Sequence, residues 1–145
     1  MRKRSKIRQK ADLEIALRKT DEQLGQLNWE LAMELTKLAA QTNDPAPLMQ
    51  AVDALRSAKR YYSFENMPRE HAVIQQSIAD TLLKLGRQTG DRDALTSARD
   101  AYRGAITLAS LLSDDALRED LRNNYKLTQT LLGDRPRSQS LFNVA

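Results

Sequence analysis

The chain has 145 residues, 41% of them apolar and 29% charged, with five glycines and four prolines; this is the balance of one folded, helix-rich domain and not of a disordered or collagen-like segment. It contains no cysteine, which excludes disulfides, thiolate metal sites and cysteine nucleophiles and suits a reducing compartment. The formal charge of +4 is concentrated in Arg2, Lys3, Arg4, Lys6, Arg8 and Lys10, a run without an acid that leaves 17 basic against 19 acidic side chains in the remainder. No window of about 18 apolar residues occurs, and a soluble, cytoplasmic chain is expected.

Capping chemistry and apolar spacing predict six helices in chain order. A leading helix covers about 5–19. Thr20 with Gln23 reads as a capping box that opens a second helix over about 21–41. Asp44 before Pro45 starts a third at about 46–62, with proline in the first helical position. Pro68 starts the fourth, about 68–88, and Asp91 after Gly90 caps the fifth, about 92–111. Ser113 with Asp114 and Asp115 opens the last, about 115–132. The predicted core stripes are Leu24, Leu27, Leu31, Leu35 and Leu38; Leu48, Ala51, Val52 and Leu55; Ile74, Ile78, Leu82 and Leu85; and Leu95, Ala98, Tyr102, Ala105 and Ile106. Short connections make neighbours antiparallel. No segment alternates with period two, so the expected fold class is all-α.

The chain repeats itself at an offset of 47 residues: residues 32–63 fall on 79–110 without a gap, with thirteen identities, among them Ala32/Ala79, Leu38/Leu85, Asp44/Asp91, Leu48/Leu95, Ala51/Ala98 and Ala58/Ala105. The same shift puts Leu121, Tyr125, Leu132 and Gly133 under Ile74, Ile78, Leu85 and Gly86, so a third copy of the first helix begins, and Pro136 follows it. Repeats of this kind bury their faces against their neighbours, and the polar side of the last helix (Arg118, Glu119, Arg122, Asn123, Asn124 and Lys126) reads as a terminal cap. The organisation is then a basic arm and leading helix over 1–19, a repeat domain over 20–133 with units at about 21–63 and 68–110 and a capping helix at 115–133, and a tail over 134–145.

Leu82, Leu85, Gly86, Ala98, Tyr102 and Ala105 stand at the spacing of large and small residues that marks a tetratricopeptide repeat, and Leu35, Leu38, Ala39, Ala51, Leu55 and Ala58 repeat it in weaker form. The chain resembles that family over roughly residues 21–133. It departs from it in a 47-residue unit where the family uses 34, and in Thr42, Thr89, Ser63 and Ser110 at positions where the family carries an aromatic residue or proline. The resemblance implies an antiparallel helix-pair array, an α-solenoid, that binds a peptide or helix of another protein in the groove between its first helices. The candidate partner-binding side chains are Trp29, Lys37, Lys84 and Arg87. The positions matching the family's carboxylate clamp hold Leu83, Lys84 and Arg87, which argues against a chaperone C-terminus as the partner.

Other features have plainer readings. The arm of Arg2, Lys3, Arg4, Lys6, Arg8 and Lys10 suits electrostatic contact with nucleic acid or an anionic surface, or a solvated helix start. Leu17, Leu24, Leu31 and Leu38 recur every seven residues, but the companion seam of Leu13, Thr20, Leu27 and Glu34 is half polar and Gly25 interrupts it, so the repeat is the simpler account of these leucines. Tyr62 and Phe64 are expected to close the core at a helix turn; Trp29, whose repeat counterpart is Gln76, packs on the leading helix or stands as an exposed anchor. His71, the single histidine, is expected at the surface, and the acidic pairs at Asp91/Asp93 and Asp114/Asp115 are explained by capping. The tail's Leu141, Phe142 and Val144 suit a docking peptide or a cover for the last helix. No phosphate loop or nucleophile elbow is present. The expectation is a non-catalytic adaptor or scaffold without cofactor or small-molecule substrate, partnered by another protein and open to homo-oligomerisation; the alternative is a nucleic-acid-associated or membrane-surface accessory protein that uses the arm.

Overall fold

The structure, a computed structural model, describes residues 2–133 except the side chains of Arg2 and Arg4; Pro136 and the apolar terminus lie outside the described residues. Five helices follow one another: α1 (Arg2–Thr42), α2 (Ala46–Tyr61), α3 (Pro68–Thr89), α4 (Arg92–Leu111) and α5 (Asp115–Leu132). There is no strand among the described residues. None of these helices is long and apolar enough to cross a membrane.

The count is five and not six because the expected break at Thr20 does not occur. The Thr20 hydroxyl donates to the Ala16 carbonyl at 3.0 Å inside a continuous helix. A capping box needs the chain to leave helical geometry. Between Ala16 and Leu24 no glycine or proline makes it do so, and Leu, Arg, Lys, Glu and Gln there all favour continuation. The described side chains as far as Leu24 are exposed; Arg18, Asp21 and Glu22 share a depression with Tyr61, Asn66 and Met67, and the part of α1 before them is an overhang of about 25 Å.

Each helix packs mainly on its sequence neighbour, and α3 also touches α5. Neighbours run antiparallel: Ala39 near the end of α1 clusters with Leu48 near the start of α2, while Gly25 lies against Tyr61 and Tyr62. Arg92 at the start of α4 donates to the Leu132 carbonyl at the end of α5 at 2.9 Å. Lys59 of α2 donates to Gln75 at 2.7 Å, and Gln75 to the Ala101 carbonyl of α4 at 3.2 Å, a polar relay across three helices.

The 47-residue repeat is reproduced in atomic detail at the corners. Thr42 and Thr89 donate back to Leu38 and Leu85 at 2.8 and 2.7 Å and accept the backbone N–H groups of Asp44 and Asp91. Asn43 and Gly90 both hold positive φ, 54° and 71°, the left-handed region that glycine and asparagine enter most readily. The carboxylates of Asp44 and Asp91 then accept the N–H groups of Ala46 and Asp93 at 3.0 and 2.9 Å, capping α2 and α4. The threonines are therefore corner residues. α5 starts 47 residues after α3, capped by Asp114, which accepts from Leu117 at 3.1 Å.

Burial repeats too. Ala51, Ala58, Ala98 and Ala105 are wholly enclosed, as are Tyr102, Ile74 and Leu121. A Cβ placed on Gly86 would stand 2.5 and 2.6 Å from Leu95 Cδ2 and Cγ, so α3 and α4 meet only because that side chain is absent. The exception is the stripe expected to anchor α1 in the core: Leu24, Leu27, Leu31 and Leu38 are exposed, and the face that meets α2 is Gly25, Ala32, Leu35 and Ala39. Small residues seat α2, and the leucines face away.

Gly86→Val drives its branches into the body of Leu95, and about 2 kcal/mol of stability is expected to be lost in urea unfolding. Ala39→Gly, at the matching position of the first copy, costs about 1 kcal/mol through helix propensity alone.

Candidate functional site

A groove runs between α1 and α3, which lie side by side with α2 beneath them. Trp29, Met33 and Lys37 form one wall and Ser77, Asp80 and Lys84 the other, with Ala32 and Leu55 on the floor; the volume is about 330 Å³. It continues past Thr36 and Lys84 into a second depression of about 420 Å³ bounded by Ala40, Asn43, Leu48 and Arg87. Gln88 closes that end by donating to the Asn43 carbonyl at 2.9 Å.

The four candidate partner-binding residues come together here. Trp29, Lys37 and Lys84 line the first depression and Lys84 and Arg87 the second. Lys37 and Lys84 are repeat equivalents, one helix apart on facing walls. Lys37 pairs with the exposed Glu34 at 3.0 Å, whereas Lys84 and Arg87 make no ion pair among the described residues. Trp29 is half-buried, edge-on to Tyr62 with ring centroids 5.6 Å apart, so it packs on the end of α2 while keeping one face in the groove. The result is an apolar trough with a rim that is mostly positive.

Asp80 on the far wall escaped the sequence reading. Its signal was an acid inside the run Ile78, Ala79, Thr81, Leu82, at the position where the first copy has Met33. One carboxylate oxygen accepts from the Tyr102 hydroxyl at 2.5 Å and from the Asn124 amide at 3.4 Å, which ties α3 to α4 and α5. Tyr102 is wholly enclosed. Burial, then the hydrogen bond and the charge of Asp80, push its hydroxyl far above the usual tyrosine range, so it remains a donor.

The cationic arm lies elsewhere: the side chains of Lys3, Lys6, Arg8 and Lys10 are exposed on the overhang of α1, and those of Arg2 and Arg4 lie outside the described residues. His71 is not a free surface group. It is half-buried, its Nδ1–H donates to the Tyr62 carbonyl at 2.8 Å, and its ring meets Phe64 edge-on at 6.0 Å. Its work is to hold the α2–α3 turn. Among the described residues no three His, Asp or Glu side chains gather closely enough to hold a metal ion.

Comparison with protein-family models, curated proteins and solved structures gives no match.

The raised ionisation of the Tyr102 hydroxyl makes stability depend on pH in the alkaline range. Unfolded, the hydroxyl ionises near pH 10; folded, it ionises higher, so its stabilisation is whole below about pH 10 and is lost as pH rises beyond it, at about 1.4 kcal/mol per pH unit. Unfolding free energies taken from about pH 8 to about pH 11 are expected to show that slope in the native sequence and to lose one proton's share of it in Tyr102→Phe. At the neutral end the same variant is less stable by about 1–2 kcal/mol, because Asp80 loses the nearer of its two donors.

Proposed function

We propose that the chain is a non-catalytic adaptor or scaffold of tetratricopeptide-like design, and that the trough between α1 and α3 receives a peptide or helix of another protein. The observation that carries this reading is the convergence of Trp29, Lys37, Lys84 and Arg87 on one apolar-floored groove. An extended or helical ligand with an apolar face fits Trp29, Met33 and Leu55. Acidic side chains along its edge meet Lys84 and Arg87, which have no counter-ion among the described residues, so they gain a partner without losing one there. Small residues and Gly86 keep the helix pairs close and the trough rigid, which lowers the ordering cost of binding.

A second reading, an accessory protein held to nucleic acid or an anionic surface by its arm, is favoured by the exposure of Lys3, Lys6, Arg8 and Lys10 on a projecting helix. The two readings assign recognition to opposite ends of α1.

A photo-crosslinking amino acid at Met33 separates them. The expected result is a polypeptide adduct formed in cells that survives deletion of residues 2–10 and falls about tenfold in the double variant Lys84→Glu, Arg87→Glu. An adduct that vanishes with the arm, together with steeply salt-dependent DNA retention of the intact chain, gives the function to the arm.

A further inference from the structure

The repeat states what covers a first helix, and among the described residues α1 has no such cover. In α3, the face bearing Ile74, Ile78 and Leu85 is closed by the preceding helix, α2. The equivalent residues of α1 are Leu27, Leu31 and Leu38, exposed by 61%, 50% and 45% where their counterparts are exposed by 0%, 4% and 7%. Among the described residues no helix lies against that side of α1. Its open face is nevertheless apolar, and it runs on through Leu24, Leu17 and Leu13, all exposed, for about 37 Å.

We infer that this stripe pairs with the same stripe of a second copy, forming an antiparallel α1–α1 dimer. Three observations select a second copy as the occupant. The first is the heptad spacing: Leu17, Leu24, Leu31 and Leu38 alternate with Leu13, Thr20, Leu27 and Glu34 along one seam, and a helix carrying such a seam is complementary to itself. Gly25 does not interrupt this seam, since it faces Tyr61 and Tyr62 on another side of the helix. The second is the asymmetry of the ends. Head-to-tail stacking would set the leucine stripe against the far end, where the outer side of α5 presents Glu119, Arg122, Asn123 and Lys126 and its exposed apolar side chains are Leu127 and Leu131, so a closed, two-fold arrangement is the one that sets leucine stripe on leucine stripe. The third is charge, which sets direction. Lys3, Lys6 and Lys10 continue the seam; a parallel pair would set each against its copy, whereas an antiparallel pair separates the arms by the length of the stripe.

In the antiparallel register Leu38 meets Leu13, Leu31 meets Thr20, Leu24 meets Leu27 and Leu17 meets Glu34 across the pair, and Lys10 falls against Gln41. The face of α1 that meets α2 lies roughly 120° round the helix from the seam, so the second helix lies alongside without displacing it. A helix pair of this length buries on the order of 1,000 Å² over the two chains, the size at which specific interfaces begin.

Sedimentation equilibrium of the full chain is the test. A dimer is expected at micromolar concentration, with Leu27→Glu, Leu31→Glu raising its Kd about 100-fold and leaving helicity and the unfolding midpoint of the monomer unchanged, because both side chains are solvated there. Orientation is read by mixing Lys10→Cys with Gln41→Cys in a chain that has no other cysteine: the mixed disulfide should exceed either homodisulfide. A monomer throughout the range, a dimer indifferent to the two glutamates, predominance of the Lys10→Cys homodisulfide, or a monomer that uses the stripe to bind phosphatidylserine vesicles overturns the inference.

Discussion

The two helices of each repeated pair, α1–α2 and α3–α4, meet with alanine and glycine at their close approaches, and the rest of the structure depends on how closely those residues let the backbones approach. Ala51, Ala58, Ala98 and Ala105 are wholly enclosed, and Gly86 leaves no room for a Cβ beside Leu95. A seam of small residues buries little area per residue, so it must be tight to contribute, and tightness demands that each helix begin at a fixed register. The corners supply that register. Threonine, a residue at positive φ and a capping aspartate recur 47 residues apart with hydrogen bonds matching within 0.2 Å, so the second helix of each pair is launched at the same angle and its alanines land on the same face.

On that common frame the two copies diverge where the groove lies. Met33 and Leu55 of the first copy become Asp80 and Tyr102 in the second, and two apolar positions turn into a hydrogen-bonded pair that also reaches Asn124. A carboxylate at the rim of an apolar trough has a desolvation cost, and two donors offset it. The pair makes α3 the hub of its neighbours: through Asp80 it holds both α4 and α5. The first copy has only α1 and α2 and needs no such tie, and its apolar side chains at these positions serve as trough lining. One wall of the groove is thus adaptable methionine and the other a fixed polar rail, a division that suits a ligand with one apolar and one polar edge.

Much of this was legible in the sequence because the signals were local. Asp44–Pro45, Pro68, Gly90–Asp91 and Asp114 are chemical stops and starts that act within one turn, and α2 to α5 begin where they predict. Repeat identities also located the close-packed alanines. What misled was context. Thr20 and Gln23 have the chemistry of a cap, but nothing obliges the chain to stop there, and the helix runs through. The leucines of α1 have the spacing of a core stripe; spacing locates a face and says nothing of whether a neighbour exists to cover it. Asp80 was hidden for the opposite reason, since its partners Tyr102 and Asn124 are 22 and 44 residues away and no local pattern joins them.

α1 therefore carries three faces with different requirements. Gly25, Ala32 and Ala39 seat α2; Trp29, Met33 and Lys37 open onto the groove; Leu13 to Leu38 form the uncovered seam. A helix that only seated α2 would need the first alone, yet the third is apolar, whereas α5 presents Glu119, Arg122, Asn123 and Lys126 on its outer side. The leucines instead form a contiguous apolar stripe on a solvated face, the kind of surface that the proposed α1–α1 pairing would cover. Because seam and groove occupy different sides of the helix, pairing along one leaves the other open. In the proposed dimer, two troughs on a two-fold axis would engage a bivalent partner with an effective concentration set by the spacing of the bodies at opposite ends of the paired helices, and the overhang that the repeat does not explain would set that spacing.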